Sequence, residues 1–143
     1  MLKTALAIFV FVGLSLLALG LVYLTRVEFM PYHSEAIQTA WSNLNSNYQG
    51  LILGGLKAFG GSALMAGFAI VFMAIASLRK SVRPFIVLLP TVATGSWSLL
   101  FYATYTVQTS TPGNPPLLLV GLVVAMSVLA STLLVLSQRT KSA

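Results

Sequence analysis

The sequence predicts an all-α integral membrane protein: a bundle of four transmembrane helices, with a short extracytoplasmic interfacial helix between the first and second spans. Three observations lead there. Charged residues make up only 7% of the 143 residues and hydrophobic ones 57%, against roughly 25% charged in an ordinary soluble domain, and the mean hydropathy is +0.93. The apolar residues gather into four runs, at about 5–24, 48–78, 84–106 and 116–136, and about 20 such residues suffice to cross a hydrocarbon core about 30 Å thick. Turn formers collect between the later runs, as SLRKSVRP at 77–84 and QTSTPGNPP at 108–116, so residues 1–143 are expected to form one transmembrane domain.

The first run is apolar apart from Ser15, with Lys3 before it and Arg26 after it. A secretory signal peptide is the competing reading, because Lys3 supplies a basic start and Ala18-Leu19-Gly20 resembles a small-residue cleavage site. A retained helix is the expectation taken forward. In the connection that follows, Ser34 can cap a short helix on which Ile37, Ala40, Trp41 and Leu44 recur at helical spacing, with Gln38, Thr39, Ser42 and Asn43 between them. Such a helix would lie on the membrane surface or over the mouth of the bundle, and Tyr32 and Trp41 carry the amphipathic rings that favour that depth. NLNSN at 43–47 ends it, leaving Ser46 or Asn47 to cap the second span.

The second run exceeds a strict span, so it is expected to tilt or project. Gly50 and Gly54 form a small-xxx-small pair, and Gly60, Ala63 and Gly67 continue a seam, with Gly55 and Gly61 beside it. Helix association in lipid depends on close packing, which predicts that this run is the central packing helix. The Gly50/Gly54/Gly60/Gly67 seam could equally serve a homodimer or a larger membrane complex. The third run carries Pro90 among Thr91, Thr94, Ser96 and Ser98. It is expected to kink, with hydroxyls re-satisfying freed carbonyls, either as plain packing or as the wall of a carrier-like cavity. Tyr102 and Tyr105 place its far end at the aromatic belt. The fourth run follows QTSTPGNPP and completes the bundle.

Orientation comes from the bases. Lys3, Arg79, Lys80, Arg83, Arg139 and Lys141 share one side, leaving Arg26 and Lys57 on the other, so the positive-inside rule puts both termini in the cytoplasm. The net charge of +6 is thus dispersed at helix ends and forms no stripe for nucleic acid, which is not expected as a partner. The lipid bilayer is. With no cysteine, disulfides, thiolate metal sites and thiol chemistry are excluded. No acid falls within a span, which argues against a proton-coupled exchanger built on an embedded carboxylate. No phosphate-binding loop, dinucleotide fingerprint or nucleophile elbow appears, and no cofactor is expected.

Glu28, His33 and Glu35 are the only two acids and the only histidine, and they fall within eight positions. These types can hold zinc or manganese or serve as a general base, but the spacing is poor for either, and a solvated loop with an interfacial histidine is the leading reading. Lys57 lies about two turns into the second span, where a central charge would cost about 2.5–3.5 kcal/mol. It either snorkels outward or pairs inside with Glu28, Glu35 or an anionic headgroup. The polar and aromatic residues converging at the outer end make Tyr32, His33, Glu35, Trp41, Lys57 and Tyr102 the candidate ligand-binding residues.

Met30-Pro31-Tyr32-His33, Trp41 with Leu44, Gln49, Gly60-Gly61, Pro90, Tyr102-Ala103-Thr104, and Thr111-Pro112 with Pro115-Pro116 together resemble an uncharacterised family of small four-helix bacterial inner-membrane proteins. The resemblance implies that location and supplies no reaction and no catalytic residue. The function expected is the binding of a lipid-like or other amphiphilic ligand, or of a membrane partner, at the extracytoplasmic mouth. The alternatives are a small carrier or channel acting as a dimer, and a membrane enzyme using Glu28, His33 and Glu35. An enzyme is the less expected.

Overall fold

Four long apolar stretches without internal charge clusters can satisfy their backbone only as helices if no water surrounds them, and helices are what they form. The computed structural model describes residues 1–79 and 83–142. Helix α1 spans Leu2–Thr25, α2 Pro31–Ile37, α3 Ser46–Arg79, α4 Arg83–Ser110 and α5 Leu117–Ser142, with a single 3-10 turn at Trp41–Asn43. All of α1, α3, α4 and α5 are long and apolar enough to cross a membrane. The basic turn expected at 77–84 falls partly on 80–82, so Lys80 lies outside the described residues. Helix α3, at 34 residues, is about 51 Å long at 1.5 Å per residue, longer than the roughly 30 Å of a hydrocarbon core.

The connection between α1 and α3 departs from the expected single helix capped by Ser34. Helix α2 starts four residues earlier, because Pro31 has its φ preset for a first helical position and Met30 takes the extended cap conformation. It ends after two turns at Gln38, which adopts a left-handed φ of 52°. Ser34 instead donates from Oγ to Thr39 O at 3.0 Å, closing that end. The cap of α3 is also shifted: Asn45 Oδ1 accepts the backbone N–H groups of Asn47 and Tyr48 at 2.9 and 3.1 Å, the role expected of Ser46 or Asn47.

Helix α1, and not the α3 run expected in that place, is the centre of the bundle, packing on α3, α4 and α5. Ala5, Phe9, Val12 and Leu16 follow one another at three- and four-residue steps and are buried. Its closest partner is α3, and the contact is backbone against backbone. A Cβ on Gly13 would lie 3.1 Å from Gly67 O, and one on Gly67 would lie 2.8 Å from Gly13 O. Gly20 and Gly60 repeat the arrangement, with Cβ positions 2.8 and 2.9 Å from each other's carbonyl oxygens. The expected seam is therefore divided. Gly60 and Gly67 are covered by α1 and Ala63 between them is buried, whereas a Cβ on Gly50, Gly54, Gly55 or Gly61 would meet nothing within 4 Å.

Helices α4 and α5 close the other side. Leu89, Ala93 and Trp97 of α4 and Val120, Ala130 and Leu134 of α5 join the same core, and Trp97 Nε1 donates to Val12 O at 3.3 Å. Thr94 and Ser131 share a hydroxyl hydrogen bond of 3.3 Å between α4 and α5. Pro90 sits inside α4 without ending it. Thr91 Oγ1 bonds Val87 O at 2.8 Å, one residue beyond the Ile86 carbonyl that the proline leaves without its usual donor. The exterior is apolar: Leu118 is 90% exposed, Leu51 73% and Leu99 72%, a surface suited to hydrocarbon.

Candidate functional site

The site is built where α1 ends. Tyr23, in the last turn of α1, is buried with its ring edge-on to Phe59 of α3 at 4.9 Å between centroids. Five residues separate α1 from α2, too few to travel, so the chain folds straight back over the end of the bundle. Phe29 anchors this return: it is buried and meets Trp41 edge-on at 4.9 Å. The backbone N–H of Met30 then donates to His33 Nδ1 at 3.2 Å, tying down the first turn of α2.

This fold-back brings Tyr32 onto Tyr23. Their hydroxyls are 2.6 Å apart, and the Tyr32 ring meets His33 edge-on at 4.2 Å. Burial, and then the hydrogen bond from Tyr23, raise the Tyr32 phenol well above its ordinary value, so it stays a neutral donor and acceptor. Burial lowers the His33 imidazole from its ordinary 6.5. A neutral ring with Nδ1 accepting must carry its proton on Nε2.

The other wall is the loop between α4 and α5. Gly113 lies directly on α2, where a Cβ would sit 2.6 Å from Tyr32 O and 2.9 Å from Ala36 Cβ. Only glycine permits that approach. Asn114 N donates to Glu35 Oε2 at 3.3 Å, fastening the loop to α2. Beneath α2 is a cavity of about 170 Å3. Tyr23, Tyr32, His33 and Thr104 give it a polar end, while Phe59, Leu100 and Ala103 form its floor. The same Phe59, Leu100 and Ala103 line a second, larger cavity of about 410 Å3 between α3 and α4, walled by Leu16, Ala66 and Leu99 with Ser62 and Ser96.

Of the candidate residues, Tyr32 and His33 meet at this cavity. Glu35 is exposed and holds the loop. Trp41 packs on Phe29, and its carbonyl accepts from Gln49 Nε2 at 2.9 Å. Lys57 is exposed and donates from Nζ to Leu24 O at 3.2 Å, capping carbonyls that the end of α1 leaves open and meeting the negative end of its dipole. It takes no place beside a glutamate. Tyr102 is 70% exposed on the outer side of α4. Glu28 is exposed, and no group of three among the described residues, Glu28, His33 and Glu35 included, is arranged to hold a metal ion. Sequence reasoning missed Tyr23, Phe59, Thr104 and Gly113. Tyr23 carried a signal as an aromatic residue with a polar tip at the end of an apolar run, and Thr104 and Gly113 lie in the Tyr102-Ala103-Thr104 and QTSTPGNPP stretches already singled out, though not as site residues.

The His33 contact makes the cap sensitive to pH. The folded-state pKa lies below the unfolded 6.5, so the stabilisation is complete above pH 6.5 and is lost as pH falls through the lowered folded value. Protonation removes the Nδ1 acceptor. Hydrogen exchange at the Met30 amide, corrected for its intrinsic pH dependence, is expected to be less protected at about pH 5 than at pH 7. In His33→Phe this amide should be unprotected at both. Equal protection of the wild-type amide at both pH values would contradict the account.

Comparison with protein-family models, with curated proteins and with solved structures gives no match, and the geometry of the site itself carries the functional reading.

Proposed function

We propose that this chain is a multi-pass protein of a bacterial inner membrane, with both termini cytoplasmic, that binds a lipid-like amphiphile at its extracytoplasmic mouth. One observation supports this above the others. The small cavity bearing hydroxyl and imidazole groups shares Phe59, Leu100 and Ala103 with an apolar cavity between α3 and α4. The larger cavity, at about 410 Å3, falls in the usual range of roughly 300–1,000 Å3 for small-molecule sites. A polar head and an apolar tail have matching places in two adjoining recesses that share a wall. The carrier and enzyme readings have no comparable support: Ser131 donates to Ser127 O and accepts from Thr94, so these hydroxyls are spent within the bundle, and Glu28, His33 and Glu35 do not form a metal-holding group.

Ala103 provides the test. It is exposed on α4 yet lines both cavities, so phenylalanine there fills the junction without entering the core. The full chain purified in mild detergent is expected to retain a co-purifying amphiphile, detected by native mass spectrometry. Ala103→Phe should lower its occupancy by about tenfold or more while thermal unfolding changes by less than about 0.5 kcal/mol, the range of a surface change. Undiminished occupancy in the variant would sink the proposal.

A further inference from the structure

We infer that the amphiphile bound here has an uncharged, oxygen-bearing head on a single apolar chain, a monoacylglycerol or an alcohol of similar shape. The inference rests on the binding reading above and adds the chemical class.

The head site is defined by what it offers and by what it lacks. Tyr23 and Tyr32 bond each other; with two protons and one bond between them, one O–H remains to donate outward. His33 Nδ1 is taken by Met30 N, which leaves Nε2–H as a second donor. Thr104 Oγ1 gives its proton to Leu100 O at 2.7 Å and retains lone pairs that can accept. Hydroxyl and ester oxygens match this set. Among the described residues, no lysine, arginine, aspartate or glutamate lines either cavity. Lys57 lines neither cavity and donates to Leu24 O. An ionic head would therefore lose water without gaining a counter-charge, which is the expensive case of burial.

The tail site sets the rest. Its α4 wall runs from Ser96 to Ala103, seven residues or about 10 Å at 1.5 Å per residue, and the head site carries that wall on to Val107, about 16 Å from Ser96. That is about half of a hydrocarbon core of 30 Å, the depth of one leaflet. The groove lies between α3 and α4, which pack on each other less closely than α1 packs on α3, so a molecule dissolved in the leaflet can enter sideways.

Two ligands with the same tail separate the possibilities. The full chain in a mild non-ionic detergent is titrated with 1-monooleoylglycerol and with 1-oleoyl lysophosphatidic acid, and occupancy is read by native mass spectrometry. The neutral ligand is expected to bind about tenfold more tightly or better, the size of a single mismatch in a water-poor site. Tyr32→Phe, which keeps the ring and removes the hydroxyl, should narrow that preference, and thermal unfolding reports whether the variant is folded. His33→Gln, which keeps a donor on the same helix, serves as the second variant should Tyr32→Phe not fold. Equal binding, or preference for the phosphate, overturns the uncharged class while leaving amphiphile binding intact. Binding of neither, with Ala103→Phe indistinguishable from wild type, overturns both.

Discussion

Gly67→Ala is expected to destabilise the bundle by about 1–3 kcal/mol, while Gly61→Ala, six positions earlier on the same helix, stabilises it by about 0.5–1 kcal/mol. The two changes add the same methyl group to α3. At Gly61 the new carbon meets nothing within 4 Å, and only the gain in helix propensity remains. At Gly67 it would stand 2.8 Å from both Gly13 O and Leu17 N. These are backbone atoms of α1, which cannot rotate aside as a side chain can, so α1 and α3 must separate along a contact that depends on closeness. Gly60→Ala meets Gly20 O and Leu24 N at 2.9 Å and should behave like Gly67→Ala. Unfolding followed by circular dichroism in mixed micelles with rising denaturing detergent measures all three. If Gly61→Ala and Gly67→Ala shift the midpoint in the same direction, the close α1–α3 contact is not what holds the pair.

The same glycines show what the sequence could reveal. Four apolar runs mark four helices long and apolar enough to span a membrane, because hydrocarbon imposes a length and excludes charge, and each observed helix covers nearly all of its run. Which glycine meets which helix is a matter of angle. Gly60 and Gly67 are seven apart and fall within about 20° of each other around a helix of 3.6 residues per turn, as do Gly13 and Gly20, whereas Gly54 stands about 120° from Gly60. The matching seven-residue intervals in the first two spans were legible, but treating α3's glycines as one seam hid them. The candidate site was less legible. Tyr32 and His33 stood out as polar aromatics after a proline, but Tyr23 and Thr104 become part of the site only through the fold-back of α2 and the approach of α4, which leave no local pattern. Lys57 was visible as a charge in an apolar run, but its partner is a backbone carbonyl, and every helix end exposes those regardless of sequence.

Trp97→Ala is expected to cost about 3–5 kcal/mol, and Trp97→Phe no more than about 1.5 kcal/mol. Trp97 is 5% exposed and bridges α4 to α1, which otherwise touch over a short stretch. Its Nε1–H reaches Val12 O, and such bonds average only about 0.6 kcal/mol in membrane proteins. Phenylalanine forfeits that bond but keeps most of the packed surface. Alanine leaves a void between α1 and α4 too enclosed for a lipid tail to fill, and the lining atoms lose their contacts outright. The effect should extend to binding, because Ser96, the preceding residue, lines the α3–α4 cavity and α4 can settle toward α1 only by moving that wall. Amphiphile occupancy is thus expected to fall in Trp97→Ala and to persist in Trp97→Phe, under conditions where unfolding measurements show both variants folded. Equal losses of stability in the two variants would mean that the indole hydrogen bond, not the filled volume, holds α4 in place. An unchanged occupancy in a folded Trp97→Ala would uncouple the core contact from the groove.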